Sequence, residues 1–563
     1  MKYPYNNLEN FTLPKLLESS TTLYRDNPLF AKVGENPSSY NDFYNDVICM
    51  VNLLKENGIS QGDKVILLSE NMPNWATAYF SVTYFGGVIV PILPDFHPSD
   101  VHHIIKHSDA KAVFVSQRHL NTIEECNEKD INFVINLDTL SIVEELTNTS
   151  YFSKIKQKSK EIADKISHSN KDTDDVGEDN LAAIIYTSGT TGHSKGVMLS
   201  HKNLVTNAMS LHETIKVLPS DSFLSILPLA HTFECTVGMI VPILNGSSVY
   251  YIDKVPTPSV LIKAFAMVKP TMILMVPLII EKIYKSKILT KLNASFVTRN
   301  LFQIPFFKKQ ISKIAGKKLM ETFGGRVRYI GIGGVALATY VEKFLIDANF
   351  PYLIGYGLTE TSPLIAATSM NSTPKINSTG STLTGVEVYI KDKDPKTGEG
   401  EILVKSPSVM MGYYKDKEKS DEVMEDGWFL TGDLGYMDKD GNLFISGRSK
   451  NVIIGASGEN IYPEQLESII NHDVVVLDSL VMEKDGKLIA RIHLDYEIID
   501  TMFHAETSTD KKVKEEIDNL LEKMRTEFNT NVSSFSRINK FVEQIDPFVK
   551  TPTKKIKRYL YEN

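Results

Sequence analysis

The sequence predicts an α/β protein in two or more units, with a large N-terminal part and a smaller C-terminal α/β domain. Three observations carry this. The chain has 563 residues, more than one compact core holds. Short apolar runs alternate with helical patterns through its first two thirds. Its last hundred or so residues are charged and mixed, with their own strand and helix patterns.

The first α/β layer opens with a helical pattern over 40–57. Strand candidates follow at 64–68 (KVILL), 112–115 and 132–137. Between them, 75–93 (WATAYFSVTYFGGVIVPIL) approaches the length of a membrane span. Thr77, Ser81 and Thr83 interrupt it, and Gly86, Gly87 and Pro91 break it, so it reads as a buried helix running into a strand. Residues 150–180, rich in Lys, Ser and Asp, read as a charged surface helix and a loop. A second α/β layer runs from the apolar strand at 181–186 to about residue 365. A small β-rich subdomain follows, with strands at 386–391 and 400–405 and a turn at Asp440-Gly441-Asn442. The C-terminal domain shows strands near 479–483 and 488–494 and a helix over 510–528.

Composition narrows the function. A hydrophobic fraction of 42% and a charged fraction of 23% are globular values. A net charge of -8 argues against nucleic acid as partner. The three cysteines, Cys49, Cys126 and Cys235, form no CxxC pair, which predicts neither a metal site nor a redox motif and suits a reducing, cytoplasmic compartment. The N-terminus shows no secretory h-region. Peripheral contact with the inner face of a membrane stays open.

The sharpest motif is 186–196, YTSGTTGHSKG, directly after an apolar strand. Gly189, Gly192 and Gly196 allow close backbone approach. Thr187, Ser188, Thr190 and Thr191 supply hydroxyls and Lys195 a cation, the set that phosphate oxygens require. A Walker A loop is excluded, because Ser194 stands where that pattern needs glycine. This motif resembles the signature of the adenylate-forming, or AMP-binding, superfamily. Ser194 replaces that family's usual proline.

Further segments extend the resemblance in the family's order along the chain. In 329–337 (YIGIGGVAL), Gly333, Gly334 and Val335 match the turn that lines adenine. In 355–361 (GYGLTET), the resemblance implies that Gly355, Tyr356 and Gly357 line the nucleotide, with Tyr356 stacked on adenine. It also implies that Thr359 contacts phosphate and Glu360 binds Mg²⁺, with Thr187 a second metal candidate. Asp433 in the TGD turn and Arg448 in GRSKN match the two ribose contacts. At the tail, FVKTPTKKIKRYLY matches the segment that carries the catalytic lysine. Lys555 takes that place, and its neighbour Lys554 stands where glycine is usual.

The resemblance implies two domains, 1–447 binding nucleotide and acid and 448–563 forming a mobile lid, with a hinge near Lys450. Rotation would bring the loop around Gly458 in to leave room for coenzyme A. In 227–234 (LPLAHTFE), similar to long-chain acyl-CoA synthetases, His231 would sit near the acid's carboxylate. Phe233, Gly333 and Gly357 would line the acyl pocket. Where some relatives carry a tryptophan gate this chain has Cys235. The implied activity is an ATP-dependent, Mg²⁺-requiring ligase joining a fatty acid to coenzyme A through an acyl-adenylate. Loading of an acyl carrier protein in trans, a medium-chain or aryl acid, and an inactive nucleotide-binding scaffold are the alternatives.

Overall fold

The alternation of apolar runs and helices resolves, in a computed structural model, into two large sheets and, toward the C-terminus, a three-stranded sheet and a two-stranded ribbon among the described residues. The structure describes residues 8, 10–126, 131–143, 175–187, 194–289, 304–369, 374–455, 459–503, 510–551 and 555–561. The expected charged helix near 150–180 lies mostly outside them.

Among the described residues the first sheet has eight strands, and at its centre Lys64–Leu68 pairs in parallel with both Val88–Ile92 and Ala110–Val115. The stretch that approached a membrane span is the helix Pro73–Tyr84 followed by the strand Val88–Ile92, and both are buried. No described helix is long and apolar enough to cross a membrane.

The second sheet has fourteen strands. Its parallel half alternates its side chains between two cores, as period-two geometry demands. Phe223, Met272, Leu274 and Leu353 face the core shared with the first sheet. Leu224, Ile273, Met275, Ile330, Ile332 and Ile354 face a second core, packed with the helices Pro258–Val268, Pro305–Thr322 and Thr339–Asp347.

The β-rich segment is not a detached subdomain. It joins the parallel sheet through one strand, Tyr352–Gly357. Residues Tyr352, Leu353 and Ile354 pair in parallel with Ile330, Gly331 and Ile332. The next three, Gly355, Tyr356 and Gly357, pair antiparallel with the strand Leu364–Ala367. Ligands in open α/β sheets gather where strand order or direction switches, and the GYGLTET motif begins at this switch.

The C-terminal unit has its own core. The strands Val476–Lys484 and Lys487–Leu494 form a hairpin, and Lys540–Glu543 pairs in parallel with the second of them. The helices Pro463–Ile470 and Asp510–Thr530 bury Leu466, Ile470, Ile517, Leu521, Met524 and Phe528 against this sheet. The unit is docked on the larger part by specific contacts. Lys285 Nζ donates to the carbonyls of Asn471 (2.6 Å) and Asp473 (3.1 Å), just beyond the C-terminus of the helix Pro463–Ile470. Carbonyls at a helix end are a natural cation site. The Tyr340 ring stacks on His472 with centroids 3.9 Å apart.

Candidate active site

The phosphate-type motif begins and ends on two paired strands. Strand Leu181–Thr187 pairs antiparallel with Lys195–Ser200, so Thr187 faces Lys195 and Tyr186 faces Gly196. Ser188, Gly189, Thr190, Thr191 and Gly192 lie outside the described residues. Gly196 is required by packing, because a Cβ there would meet Ile184 Cγ2 at 2.9 Å and Tyr186 Cζ at 3.2 Å. Ser200 ends the strand and caps the helix His201–Thr214, accepting from the Asn203 amide. The strand pair is thereby anchored to the core.

Lys195 leaves this strand pair toward Glu360. Its ammonium lies 5.2 Å from the Tyr413 ring centroid. Burial and the nearby Lys419 and Lys450 lower its pKa, while Glu360 and Asp416 oppose the shift. Glu360 is in the short 3₁₀ turn Thr359–Thr361 that follows the sheet switch. Its Oε1 accepts from the Tyr413 hydroxyl at 2.9 Å, and its carbonyl accepts from the Met410 amide at 2.8 Å. Thr359 opens the same turn and its carbonyl accepts from the Ser362 amide. Neighbouring Gly357 cannot be replaced without moving backbone: a Cβ there would lie 1.9 Å from the Pro363 carbonyl oxygen.

The third element is the hairpin of Trp428–Met437 and Asn442–Arg448, in which Asp433 and Arg448 face each other. Arg448 Nε lies 2.7 Å from Asp433 Oδ1, and the Tyr356 hydroxyl donates to Oδ2 at 2.7 Å. Asp433 is 5% exposed. Burial raises its pKa, against the pull of Arg448 and Tyr356. This carboxylate is therefore aimed and half satisfied, with acceptor capacity left over.

Above Tyr356 lies the glycine turn. Gly334 takes φ 91°, which glycine adopts freely, and Val335 is exposed. A Cβ at Gly333 would touch both Phe233 Cζ at 3.3 Å and the Gly355 carbonyl at 3.4 Å. Gly333, Phe233 and Gly355 thus form one wall. Cys235, at the gate position of some relatives, turns the other way: it is 1% exposed and interacts with Tyr79 in the core. Phe233 is the aromatic side chain that meets the glycine turn. Phe233 belongs to the same packed apolar core as Val237, Val241, Phe223, Met272 and Leu274.

The tail completes the cleft. Lys550 pairs with Asp478 at 2.7 Å, and Arg558 donates to buried Glu467 and to the Val481 carbonyl. Between these anchors the chain turns back on itself, the Thr551 amide donating to the Lys555 carbonyl at 2.7 Å. Lys554 lies outside the described residues. Lys555 keeps access to solvent yet stands deep among protein groups; this crowding lowers its pKa, with Arg448 adding to the effect and Asp433 and Glu360 opposing it. Its charge is also felt by His231, whose pKa burial and Lys555 push down to about 4. The Phe233 amide donates to His231 Nδ1 at 3.3 Å, so the neutral ring carries its proton on Nε2.

Lys195, Glu360, Asp433, Arg448, His231 and Lys555 therefore converge from five separate segments. Lys450 follows directly, in the 3₁₀ turn Ser449–Asn451. Gly458 lies outside the described residues. Sequence reasoning missed Tyr413, which orients Glu360 and floors Lys195. The paired tyrosines of 410–414 (MMGYY) are its only local signal. Among the described residues no cluster of three or more His, Cys, Asp or Glu could hold a metal alone. One half-buried carboxylate suits Mg²⁺ delivered on a polyphosphate, where phosphate and water oxygens fill most positions.

Comparison with known proteins defines the class. The model of the family described as AMP-binding enzyme matches residues 18–414. The chain belongs to that family. It is 30% identical to the peroxisomal long chain acyl-CoA synthetase 7 of Arabidopsis thaliana, over 73% of this chain. That match spans 62% of the relative's own length. It is 28% identical to the long-chain-fatty-acid–CoA ligase heimdall of Drosophila melanogaster, over 84% of this chain and 75% of the relative. Among solved structures it is similar to ATP-bound MatB from Rhodopseudomonas palustris, with a TM-score of 0.74 at 24% identity, covering 97% of this chain and 98% of that one.

Proposed function

We propose that this protein is an AMP-forming acyl-CoA synthetase acting on long-chain fatty acids. The observation that carries the proposal is the meeting of Lys555, from the tail, with Asp433, Arg448, Glu360 and His231 in one cleft. A cation delivered by a separate domain to a cleft of this make-up is what adenylate formation needs. An acid's carboxylate oxygen attacks the α-phosphorus of ATP, and the bond to pyrophosphate breaks. Negative charge grows on the α-phosphate, and Lys555 faces that change with a partly desolvated ammonium. Asp433 and Arg448 would hold the ribose, Tyr356 and the turn Gly333-Gly334-Val335 the adenine, and Lys195 with the hydroxyl loop the phosphates. Glu360, with Thr187, would hold Mg²⁺, which supplies charge neutralisation to the triphosphate. Neutral His231, with its proton on Nε2 and Lys555 close enough to lower its pKa, would suit a carboxylate oxygen.

In the second step the thiol of coenzyme A attacks the acyl carbonyl, and the bond to AMP breaks. This step calls for Lys555 to leave, with the C-terminal domain, residues 448–563, turning about Lys450 and bringing the Gly458 loop in. A long acyl chain is supported by the names of the relatives above.

The test is AMP release with acids from acetate to oleate, with coenzyme A or acyl carrier protein as acceptor. Turnover with long acids and coenzyme A is expected. Turnover with the carrier protein alone would reassign the acceptor, and a preference for benzoate-like acids would reassign the substrate. Pyrophosphate exchange that fails with every acid would sink the enzymatic reading.

A further inference from the structure

The helix Pro305–Thr322 departs from the usual rule for surface helices. Its inner face is fixed: Ser312 and Leu319 are buried, and Gly316 sits so close to Ala348 that an added Cβ would meet the alanine's at 2.8 Å. With the inner face settled, the outer face carries Phe306 (68% exposed), Phe307 (42%) and Ile314 (60%). At roughly 100° per residue these three share one side of the helix. Exposed Lys309, Lys313 and Lys317 run along one margin of that apolar strip and Lys318 along the other. The helix holds five lysines and one glutamate in a chain of net charge -8. Lys308, on the inner side of the helix, pairs with Asp347 at 3.7 Å.

The contrast within the molecule is direct. The other long charged helix, Asp510–Thr530, mixes both signs outside and turns Ile517, Leu521, Met524 and Phe528 inward. Single exposed hydrophobics need no explanation, but three large ones within a few turns, edged by one sign of charge, do. A protein partner for this face would need acidic complement. An anionic bilayer supplies both requirements at once, because aromatic rings enter the acyl boundary while lysine stems let the ammonium groups reach the headgroups.

We propose that the outer face of the helix Pro305–Thr322 docks the protein on the surface of an anionic lipid bilayer. The inference concerns binding and does not depend on which acid is activated. Its test is flotation of the full-length protein with phosphatidylcholine vesicles, with and without phosphatidylglycerol. Flotation is expected with the anionic vesicles and is expected to fall as salt rises. A K309E/K313E/K317E variant and an F306S/F307S/I314S variant are each expected to lose about tenfold or more in partitioning, with circular dichroism and pyrophosphate exchange unchanged. Equal flotation of wild type and both variants, no flotation with either vesicle, or equal binding to neutral and anionic vesicles would overturn the proposal. So would a dimer in solution that the F306S/F307S/I314S variant converts to monomer, which would assign the face to a second copy of this chain.

Discussion

Glu234 shows how far one side chain can depart from its free behaviour. It is 1% exposed, accepts from Ser225 Oγ at 2.6 Å, and burial raises its pKa to about 8. Its Oε1 is packed so closely that a Cβ at Gly238 would lie 2.7 Å away. The folded protein keeps this proton while the unfolded chain gives it up above the ordinary value of 4.5. Its contribution to stability is therefore complete below pH 4.5 and is lost as pH rises toward 8, at about 1.4 kcal/mol per pH unit at most. A Glu234→Gln variant, measured by melting temperature from pH 5 to 8.5, is expected to show a flatter profile than wild type. Identical slopes would mean that the carboxyl is ionised in the folded protein. In the activity proposed above, Lys555, far away in the tail, meets the charge that grows on the α-phosphate. Lys555→Ala is expected to slow pyrophosphate exchange by about 10²-fold or more. Thioester formation from supplied acyl-adenylate should survive, and equal loss of both steps would contradict a lysine serving only the first.

Elements explain why these residues meet. The strand Tyr352–Gly357 changes partners midway, from parallel to antiparallel, and the glycines at that change let backbones approach where side chains could not. Gly357→Ala is expected to cost several kcal/mol in urea unfolding, because a Cβ 1.9 Å from a carbonyl oxygen forces the backbone apart. Activity should fall with it. Wild-type stability in this variant would mean that the turn relaxes freely. Much of the candidate site was legible through the resemblance, because its motifs are short local segments that stand in the family's order along the chain. The strands at 64–68, 386–391 and 400–405 and the helix over 510–528 could also be read from periodicity. What could not be read was pairing across the chain. Nothing local in 355–367 says that one strand serves two halves of a sheet. Tyr413 gains its meaning only when a hairpin strand brings it beneath Lys195. Cys235 likewise occupies a gate position in sequence, but the π-helix Glu234–Ile240 turns it into the core.

At the scale of the molecule, the contacts that hold the small domain on the large one include Lys285 and Tyr340, which touch Asn471, His472 and Asp473 away from the cleft, and Tyr462 and Gln465, which donate to Glu399 and to the Ser446 carbonyl. Lys285→Ala is expected to reduce pyrophosphate exchange several-fold while leaving thioester formation from supplied acyl-adenylate unchanged or faster, since it weakens only the docked arrangement. A uniform loss of both steps would point to a fold defect, which thermal melting would reveal.

That clasp has a kinetic implication. An enzyme that performs two different steps in one cleft must let go between them, so the fastening that helps the first step delays the second. Polar contacts and a stacked ring pair, with each unit keeping its own core, make a grip that can open without unfolding either unit. In the two-step activity proposed above, tightening it is expected to slow overall turnover while favouring the first step.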